Sequence, residues 1–344
     1  MNIYTEQHWP DVRKIREQKC PFIMMIGGRG TGKTYSTLKD IIETDVGNGG
    51  KFIYLRRTKT QAIMSCKDKF NPFRRLNHDM GWDIHAFQHG EDITFMDSED
   101  EEIGNMIGSG MSLSTVSNVR GIDAWDTTVI VYDEFIRDKN ERKLKGEAEA
   151  LFNFYETVNR NRELEGKPPV QLIMLANAND SANSIFMYLK LVMVCEKMKQ
   201  RGEYPAIYKN LERGMLMIDF GPTNEISIRK ADTALYRLTA GTQYADMALK
   251  NEYAYNSPSK QASRPLGEYK PVVFIGELAV YQHKSRKEYY CTTHRSGSAP
   301  HFNTGSTDIE RFKRAYSWLW LSYMMNKIEF ENYACESLLT LYFE

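Results

Sequence analysis

Ile23-Met24-Met25-Ile26-Gly27-Gly28-Arg29-Gly30-Thr31-Gly32-Lys33-Thr34 is a short apolar run that opens into glycines and closes on Gly-Lys-Thr. From Gly27 onward it matches G-x-x-x-x-G-K-[ST], the phosphate-binding P-loop. The chemistry needs that order. A buried strand ends, and small residues let backbone N–H groups approach phosphates with no Cβ in the way. A helix beginning near Thr34 then turns the positive end of its dipole toward them. Lys33 is placed to reach the β- and γ-phosphates, and Thr34 to offer its hydroxyl to Mg²⁺. The plainer alternative is a glycine-rich strand-to-helix turn. Against it stands the context a P-loop requires: an apolar run before, and helix-like Tyr35 to Val46 after.

The chain has 344 residues, long enough for two domains and a sizeable core. At 42% hydrophobic and 26% charged it has an ordinary globular composition. Lys+Arg and Asp+Glu are both 45, so any nucleic-acid contact must come from local basic patches and not from net charge. Five scattered cysteines without a C-x-x-C pair argue against a disulfide framework or a zinc site, and fit a reducing compartment. No stretch reads as a signal peptide or membrane span, so the expectation is a cytosolic, soluble protein with no membrane partner.

Outward from the loop, Val46-Gly47-Asn48-Gly49-Gly50 is a turn and Lys51-Phe52-Ile53-Tyr54-Leu55 a second strand. Strand, helix and strand at this spacing make a right-handed parallel unit with the phosphate site at the strand's carboxyl end. Arg56-Arg57-Thr58-Lys59 follows directly. These cations could hold DNA phosphates or a neighbour's nucleotide, or be a solvated strand end. Residues 61 to 79 read as helical with a basic, solvated face. Asp92 to Met96 and Ile103 to Ile107 read as a β-hairpin with an acidic, solvated tip, and Ser112 to Asn118 as a short helix.

Thr128-Val129-Ile130-Val131-Tyr132-Asp133-Glu134 is an apolar run ending in two carboxylates, about a hundred residues after the P-loop. It matches a Walker B strand, in which Asp133 holds Mg²⁺ through its water shell and Glu134 orients and deprotonates the attacking water. Glu147 to Leu164 has helical periodicity and ends near Asn159-Arg160-Asn161-Arg162. Arg160 and Arg162 lie about 200° apart on a helix and cannot both face one neighbour. One of them could be an arginine finger; the alternative is a surface Glu156–Arg160 pair. Val170 to Ala176 is another buried strand, and Asn177 at its end is read as the residue that senses the γ-phosphate or positions the water. Asn177-Ala178-Asn179-Asp180 lacks the lysine of a guanine-selecting Asn-Lys-x-Asp, so ATP is the expected nucleotide.

Ile185 to Met198 is a methionine-rich amphipathic stretch, Gly214 to Phe220 a strand, and Ile228 to Tyr253 helical. Asn256 to Pro265 is the clearest linker. Beyond it, strands at 271–275, 277–281 and 288–292 form an antiparallel meander before an aromatic helix from Phe312 to Asn326. The expected fold is α/β: a P-loop NTPase domain over 1–228 with a mainly parallel sheet flanked by helices and a lid-like part at 181–228. A helical linker region over 229–265 and a small C-terminal α+β domain over 266–344 follow.

These residues resemble the DNA-packaging motor ATPases of small tailed phages of the phi29 type, among the terminase-like additional-strand P-loop ATPases. The resemblance rests on Ile26 to Tyr35, Ile53-Tyr54-Leu55-Arg56-Arg57, Val131-Tyr132-Asp133-Glu134-Phe135-Ile136-Arg137 and Thr157-Val158-Asn159-Arg160-Asn161-Arg162-Glu163. Leu175-Ala176-Asn177-Ala178 and Gly241-Thr242-Gln243-Tyr244 extend it more weakly, so that it covers roughly residues 20 to 250. It implies a homopentameric ring, docked through a phage structural RNA onto the portal of an empty capsid in the host cytoplasm, that pumps double-stranded DNA inward with ATP and Mg²⁺. It further implies that Arg160 is a trans-acting finger, that Arg120 reaches a neighbour's nucleotide, and that Lys59 lies in a DNA-facing loop; Arg56 and Arg57 join Lys59 as DNA-binding candidates from their place at the strand end. The C-terminal domain is implied to resemble an RNase H-like nuclease without its catalytic acids. Asp308 is the one aspartate past the linker, with glutamates scattered among the strands, and a two-metal nuclease needs clustered carboxylates. No nuclease activity is therefore expected. The competing functions are a terminase-like packaging nuclease, a helicase, and a nucleotide-gated capsid or RNA adaptor; Glu134 speaks against the adaptor, which needs no water-activating base.

Overall fold

The computed structural model describes residues 3–6, 8–28, 30–116, 124–137, 141–177, 183–221, 231–242 and 261–344. They fall into two compact units: 1–144, 150–179 and 203–252 in the first, 145–149, 180–202 and 253–344 in the second.

The first unit is built on a nine-stranded sheet. In chain order its strands are β1 (Phe22–Ile26), β2 (Lys51–Arg56), β3 (His85–His89), β4 (Asp92–Met96), β5 (Met106–Ser112), β6 (Thr127–Asp133), β7 (Gln171–Ala176), β8 (Ala206–Asn210) and β9 (Met215–Asp219). Their spatial order is β3-β4-β5-β2-β6-β7-β1-β9-β8. The six strands from β5 to β9 in this order run parallel; β3, β4 and β8 add antiparallel edges. The central strands are apolar on both faces because both are covered. Ile23 and Met25 share one core with Val12 and Ile15 of α1 (Val12–Arg16), Leu38 and Ile41 of α2 (Lys33–Thr44), Ala62 of α3 (Lys59–Met64) and Leu76 of α4 (Arg74–Met80). On the opposite face Phe22 meets the ring of Tyr155, from α5 (Glu147–Asn159), at 5.0 Å. The edge strands β3 and β8 are half exposed and polar, which keeps the sheet from pairing onward.

Register decides where the chemistry sits. Leu175 pairs with both Met25 and Asp133, and Ile26 pairs with both Ala176 and Asp219. The residues that follow, Gly27, Glu134 and Asn177, therefore leave the sheet side by side at the carboxyl ends of parallel strands, where α/β folds bind ligands.

The second unit has strands β10 (Tyr269–Ile275), β11 (Leu278–His283), β12 (Tyr289–Thr292), β13 (His301–Phe302) and β14 (Ile328–Phe330) in the order β13-β10-β11-β12-β14. The expected antiparallel meander is β10-β11-β12; β13 and β14 pair parallel at its edges. Residues 183–202, inside the stretch 181–228 expected to be lid-like, hold α6 (Ser184–Leu189) and α7 (Val192–Arg201) and group with this unit. The physical tie is Glu277, whose carboxylate accepts from Val192 N (3.0 Å) and Met193 N (3.2 Å) at the start of α7.

Several local expectations are corrected. The 61–79 helix is broken into α3 and α4 around Asn71-Pro72, where the ring removes a backbone donor. Ile103 is 76% exposed and outside any strand; β5 starts at Met106 and runs through Ser112, where a short helix was expected to begin. The 312–326 helix is two helices, α9 (Ser306–Ala315) and α10 (Ser317–Met324), parted at Tyr316, whose ring stacks on Phe312 at 5.5 Å. (α8 is Ala234–Leu238 and α11 is Tyr333–Phe343.) Asn256 to Lys260 of the expected linker, and Gln243-Tyr244, lie outside the described residues.

Candidate functional site

After β1 the chain takes backbone angles that side chains resist: φ is +80° at Gly30 and +78° at Gly32. Space is short as well. A Cβ on Gly32 would lie 1.6 Å from Cε3 of Trp9, whose ring rests against the loop and meets Tyr35 at 6.0 Å between centroids. Gly32 caps α2 by conformation, without a side chain, leaving the first helical N–H groups turned into the loop. The loop wraps the Lys33 ammonium: Nζ donates to Gly27 O (3.0 Å), Gly28 O (2.9 Å) and Thr31 Oγ1 (2.8 Å). Burial holds that ammonium down at about 8, against the opposing pull of Asp133 and Asp219. Arg29 lies outside the described residues.

Facing the loop, Asp133 is held at both oxygens. Oδ1 accepts from Thr34 Oγ1 and from Glu134 N, each at 3.1 Å. Oδ2 accepts from Tyr54 Oη at 2.7 Å and Arg56 Nη1 at 3.3 Å. Burial nonetheless pushes the Asp133 carboxyl above its usual range, with Arg56 and Tyr54 pulling the other way. Thr34 Oγ1 and Asp133 are hard oxygen donors of the kind Mg²⁺ takes, and a buried carboxylate whose charge is incompletely relieved suits a cation. Arg56 Nη2 also binds Glu134 Oε2. Glu134 sits at φ +54°, an unusual place for a residue with a Cβ, with its side chain half exposed. Asn177 Nδ2 reaches Glu134 Oε1 at 3.5 Å, the outer limit of a hydrogen bond.

The remaining sequence-derived residues are distributed differently. Arg56, grouped from sequence with a DNA-facing loop, is instead drawn into this carboxylate cluster. Arg57 is fully buried and pairs with Glu141 at 2.7 Å. Lys59 stays at the surface on Glu91. Arg120 is outside the described residues. Arg160 is at the far end of the sheet: Arg162, two residues on, donates to Trp125 O (3.0 Å) and Thr127 O (3.2 Å), where β6 begins. At about 3.3 Å per residue, the strand separates that point from Asp133 by about 20 Å.

Sequence reasoning missed Tyr54, Trp9 and Asp219 as members of this site. Asp219 ends β9 beside Ile26, an apolar run closing on a carboxylate, as in β6. Tyr54 and Arg56 are two apart on one strand and so share a face, the signal that could have linked them. Elsewhere, Asp83, His85 and Glu99 bring ligand atoms within 4.8 Å of one another, but the carboxylates are exposed and the group is internally hydrogen-bonded.

The chain is similar to the DNA packaging protein of Bacillus phage B103, at 29% identity over 234 residues covering 68% of this chain and 64% of that protein. It is 28% identical to the DNA packaging protein of Bacillus phage phi29 over 236 residues, covering 68% and 62%. The match thus spans less than two thirds of either relative's length. Among solved structures, the Phi-28 gp11 DNA packaging motor covers 99% of both chains at TM-score 0.64 and 19% identity. The bacteriophage Phi-29 viral genome packaging motor assembly covers 97% of this chain and 96% of that one, at 0.60 and 21%. At those identities the likeness is one of fold. The family model for the Podovirus DNA encapsidation protein (Gp16) matches residues 11–263, well over half of the sequence, and the chain belongs to that family.

Proposed function

We propose that the chain is an ATPase that moves double-stranded viral DNA into a preformed capsid, working as one subunit of a ring. The observation that carries the ATPase reading is the 3.1 Å contact between Thr34 Oγ1 and Asp133 Oδ1, with Glu134 next in sequence. It joins the phosphate loop and the Walker B strand into one site. ATP with Mg²⁺, held by Thr34 and Asp133, would supply the phosphoanhydride bond and neutralise charge on its oxygens. Lys33 turns its ammonium from the loop carbonyls toward the terminal phosphates. Glu134 takes a proton from the attacking water, and Asn177 orients that carboxylate.

The position of Arg160, at the opposite end of the sheet from Glu134, supports its acting on a neighbour's nucleotide and not its own. Lys59, exposed at the surface, is our choice for DNA phosphate, a contact without sequence information that suits a pump accepting any sequence. Structural RNA, portal and ring number follow the family resemblance. We expect no nuclease activity from the second unit. Three of its acids have structural partners: Glu277 caps α7, Glu329 pairs with Arg264 (2.8 Å), and Glu331 accepts from Thr292 Oγ1 (2.7 Å) and Thr293 N (3.1 Å).

The test is steady-state ATP hydrolysis with and without double-stranded DNA for the native chain, Glu134→Gln and Arg160→Ala, across protein concentration and salt. The reading expects DNA-stimulated hydrolysis that weakens as salt rises, two inactive variants, and recovery when the two are mixed. Normal hydrolysis by Arg160→Ala would remove the finger. No hydrolysis by the native chain in any assembled state would remove the motor.

A further inference from the structure

The helix α2 and the strand β6 are joined at both ends, each time by a threonine hydroxyl on a carboxylate. At the phosphate end, Thr34 Oγ1 of the helix donates to Asp133 Oδ1 of the strand at 3.1 Å. At the rear end the roles are exchanged: Thr128 Oγ1 of the strand donates to Oδ1 of Asp45, the C-cap of the helix, at 2.7 Å. The two spans agree. Thr34 to Asp45 rises about 16 Å along the helix, and Thr128 to Asp133 covers about 16 Å of extended chain. A slide of the helix along the strand therefore opens both contacts together.

Arg16 of α1 locks the rear contact. Its Nη1 lies 2.6 Å from Asp45 Oδ2 and donates to Asp40 Oδ2 (2.8 Å) and Thr44 Oγ1 (3.0 Å). Its Nε donates to Oε1 of Gln171, the first residue of β7, at 2.6 Å. Gln171 Nε2 donates in turn to Cys20 O at 3.1 Å, just ahead of β1. The side chains of Arg16, Asp40 and Asp45 are 16%, 8% and 9% exposed, so salt screens these pairs little. Local helix chemistry does not ask for this arrangement. α2 carries Asp40 and Glu43 in its second half, Asp45 at its cap and no cation in its last turn, the reverse of what the helix dipole favours. Beneath it Leu38 and Ile41 pack on the sheet through apolar contacts, which are non-directional and permit a slide. The hydrogen bonds at the rear are directional and fix its place.

We infer that Arg16 is a positioning residue for the Mg²⁺ end of the site: through Asp45 and Asp40 it sets how far α2 lies along β6, and so holds the Thr34 hydroxyl at Asp133. This rests on the reading that Thr34 and Asp133 hold Mg²⁺ with ATP. Arg16 itself stands at the other end of the helix from both. The phosphate loop and α2 are continuous and move together, so the loop's grip on phosphates does not depend on Arg16. A metal shared between the helix and the strand does.

The experiment titrates Mg²⁺ against ATP binding, and measures ATP binding without metal, for the full native chain, Arg16→Gln and Thr128→Val. Circular dichroism verifies that each is folded at the temperature used. Thr128→Val removes the rear hydroxyl and leaves the charges paired, so it carries the test if Arg16→Gln does not fold. The inference expects Arg16→Gln to need about tenfold or more Mg²⁺, Thr128→Val to shift in the same direction, and metal-free affinity to stay unchanged in both. A residue that serves stability alone would lower the urea midpoint and leave the Mg²⁺ requirement of the folded chain where it was. The native Mg²⁺ requirement in folded Arg16→Gln, or in Thr128→Val where Arg16→Gln does not fold, overturns the inference and leaves the ATPase reading standing. Equal weakening of metal-bound and metal-free binding also overturns it, because Arg16 would then support the whole loop. A native chain whose ATP binding does not respond to Mg²⁺ removes the metal-site reading, and the inference with it, so the two failures are told apart.

Discussion

Tyr54 Oη donates to Asp133 Oδ2 at 2.7 Å from the strand beside the one that ends in that carboxylate. The hydroxyl is buried, and burial together with the neighbouring Asp133 charge holds it well above the ordinary tyrosine range, so it remains a donor throughout the working pH range. It occupies one Asp133 oxygen and leaves the other on the side of Thr34. Tyr54→Phe should therefore loosen the metal site without touching the phosphate loop. A hydrogen bond to a charged group contributes about 1.5–3 kcal/mol, which corresponds to a need for roughly ten- to a hundredfold more Mg²⁺. Titrating Mg²⁺ against nucleotide binding measures this, and metal-free nucleotide binding should be unchanged.

Arg56 is the counter-charge for two adjacent carboxylates, and its contact with Asp133 is buried while that with half-exposed Glu134 is screened by solvent. Arg56→Ala should leave Asp133 uncompensated and cost about 3–5 kcal/mol of stability. The sign with pH follows from the raised Asp133 value. A carboxyl raised in the native state penalises folding above its native pKa, and the penalty vanishes as pH falls below its unfolded value. Removing Arg56 raises it further, so the gap in urea midpoint between variant and native chain should narrow toward acid pH. A residue working only on DNA would instead change the salt dependence of DNA binding and leave the midpoint alone.

How much of this was legible in sequence depends on what each residue needs to be recognised. Gly27 to Thr34 and Val129 to Glu134 carry their meaning locally, an apolar run ending in a fixed chemical string, and the structure brings them together through Thr34 and Asp133. Arg56-Arg57-Thr58-Lys59 reads as one basic loop, while Arg56 and Arg57 turn to different partners, Arg56 to Asp133 and the fully buried Arg57 to the partly exposed Glu141. That β2 lies against β6, about seventy residues away, follows from sheet order and not from any nearby signal. Trp9 against Gly32 has no sequence signature at all.

Lys33 gives a pH dependence of opposite sense for folding and for binding. With its ammonium depressed to about 8 by burial, the native state is penalised at lower pH, and the penalty fades as pH rises from about 8 toward the ordinary lysine value. Bound phosphates favour the ammonium, so nucleotide affinity should be full below about 8 and fall above it, approaching about tenfold per pH unit for one proton. Calorimetry in buffers of different ionisation enthalpy should show proton uptake on binding in that window. Lys33→Met should bind weakly with no such slope; a slope that survives in Lys33→Met assigns the proton to another group.

Gly32 combines two demands that a double-mutant cycle can separate. Alanine there must adopt φ near +78°, which costs about 1–2 kcal/mol, and its Cβ must displace the ring of Trp9. Gly32→Ala should lose nucleotide affinity by more than the roughly five- to thirtyfold that backbone strain alone accounts for. Trp9→Ala alone removes a ring from the loop's edge and should cost less than Gly32→Ala. In the double variant the collision is gone and only the strain remains, so the two losses should not add. Additive losses would mean that Trp9 swings aside freely, and the N-terminal segment would then be a loose cover and not a wall of the phosphate loop.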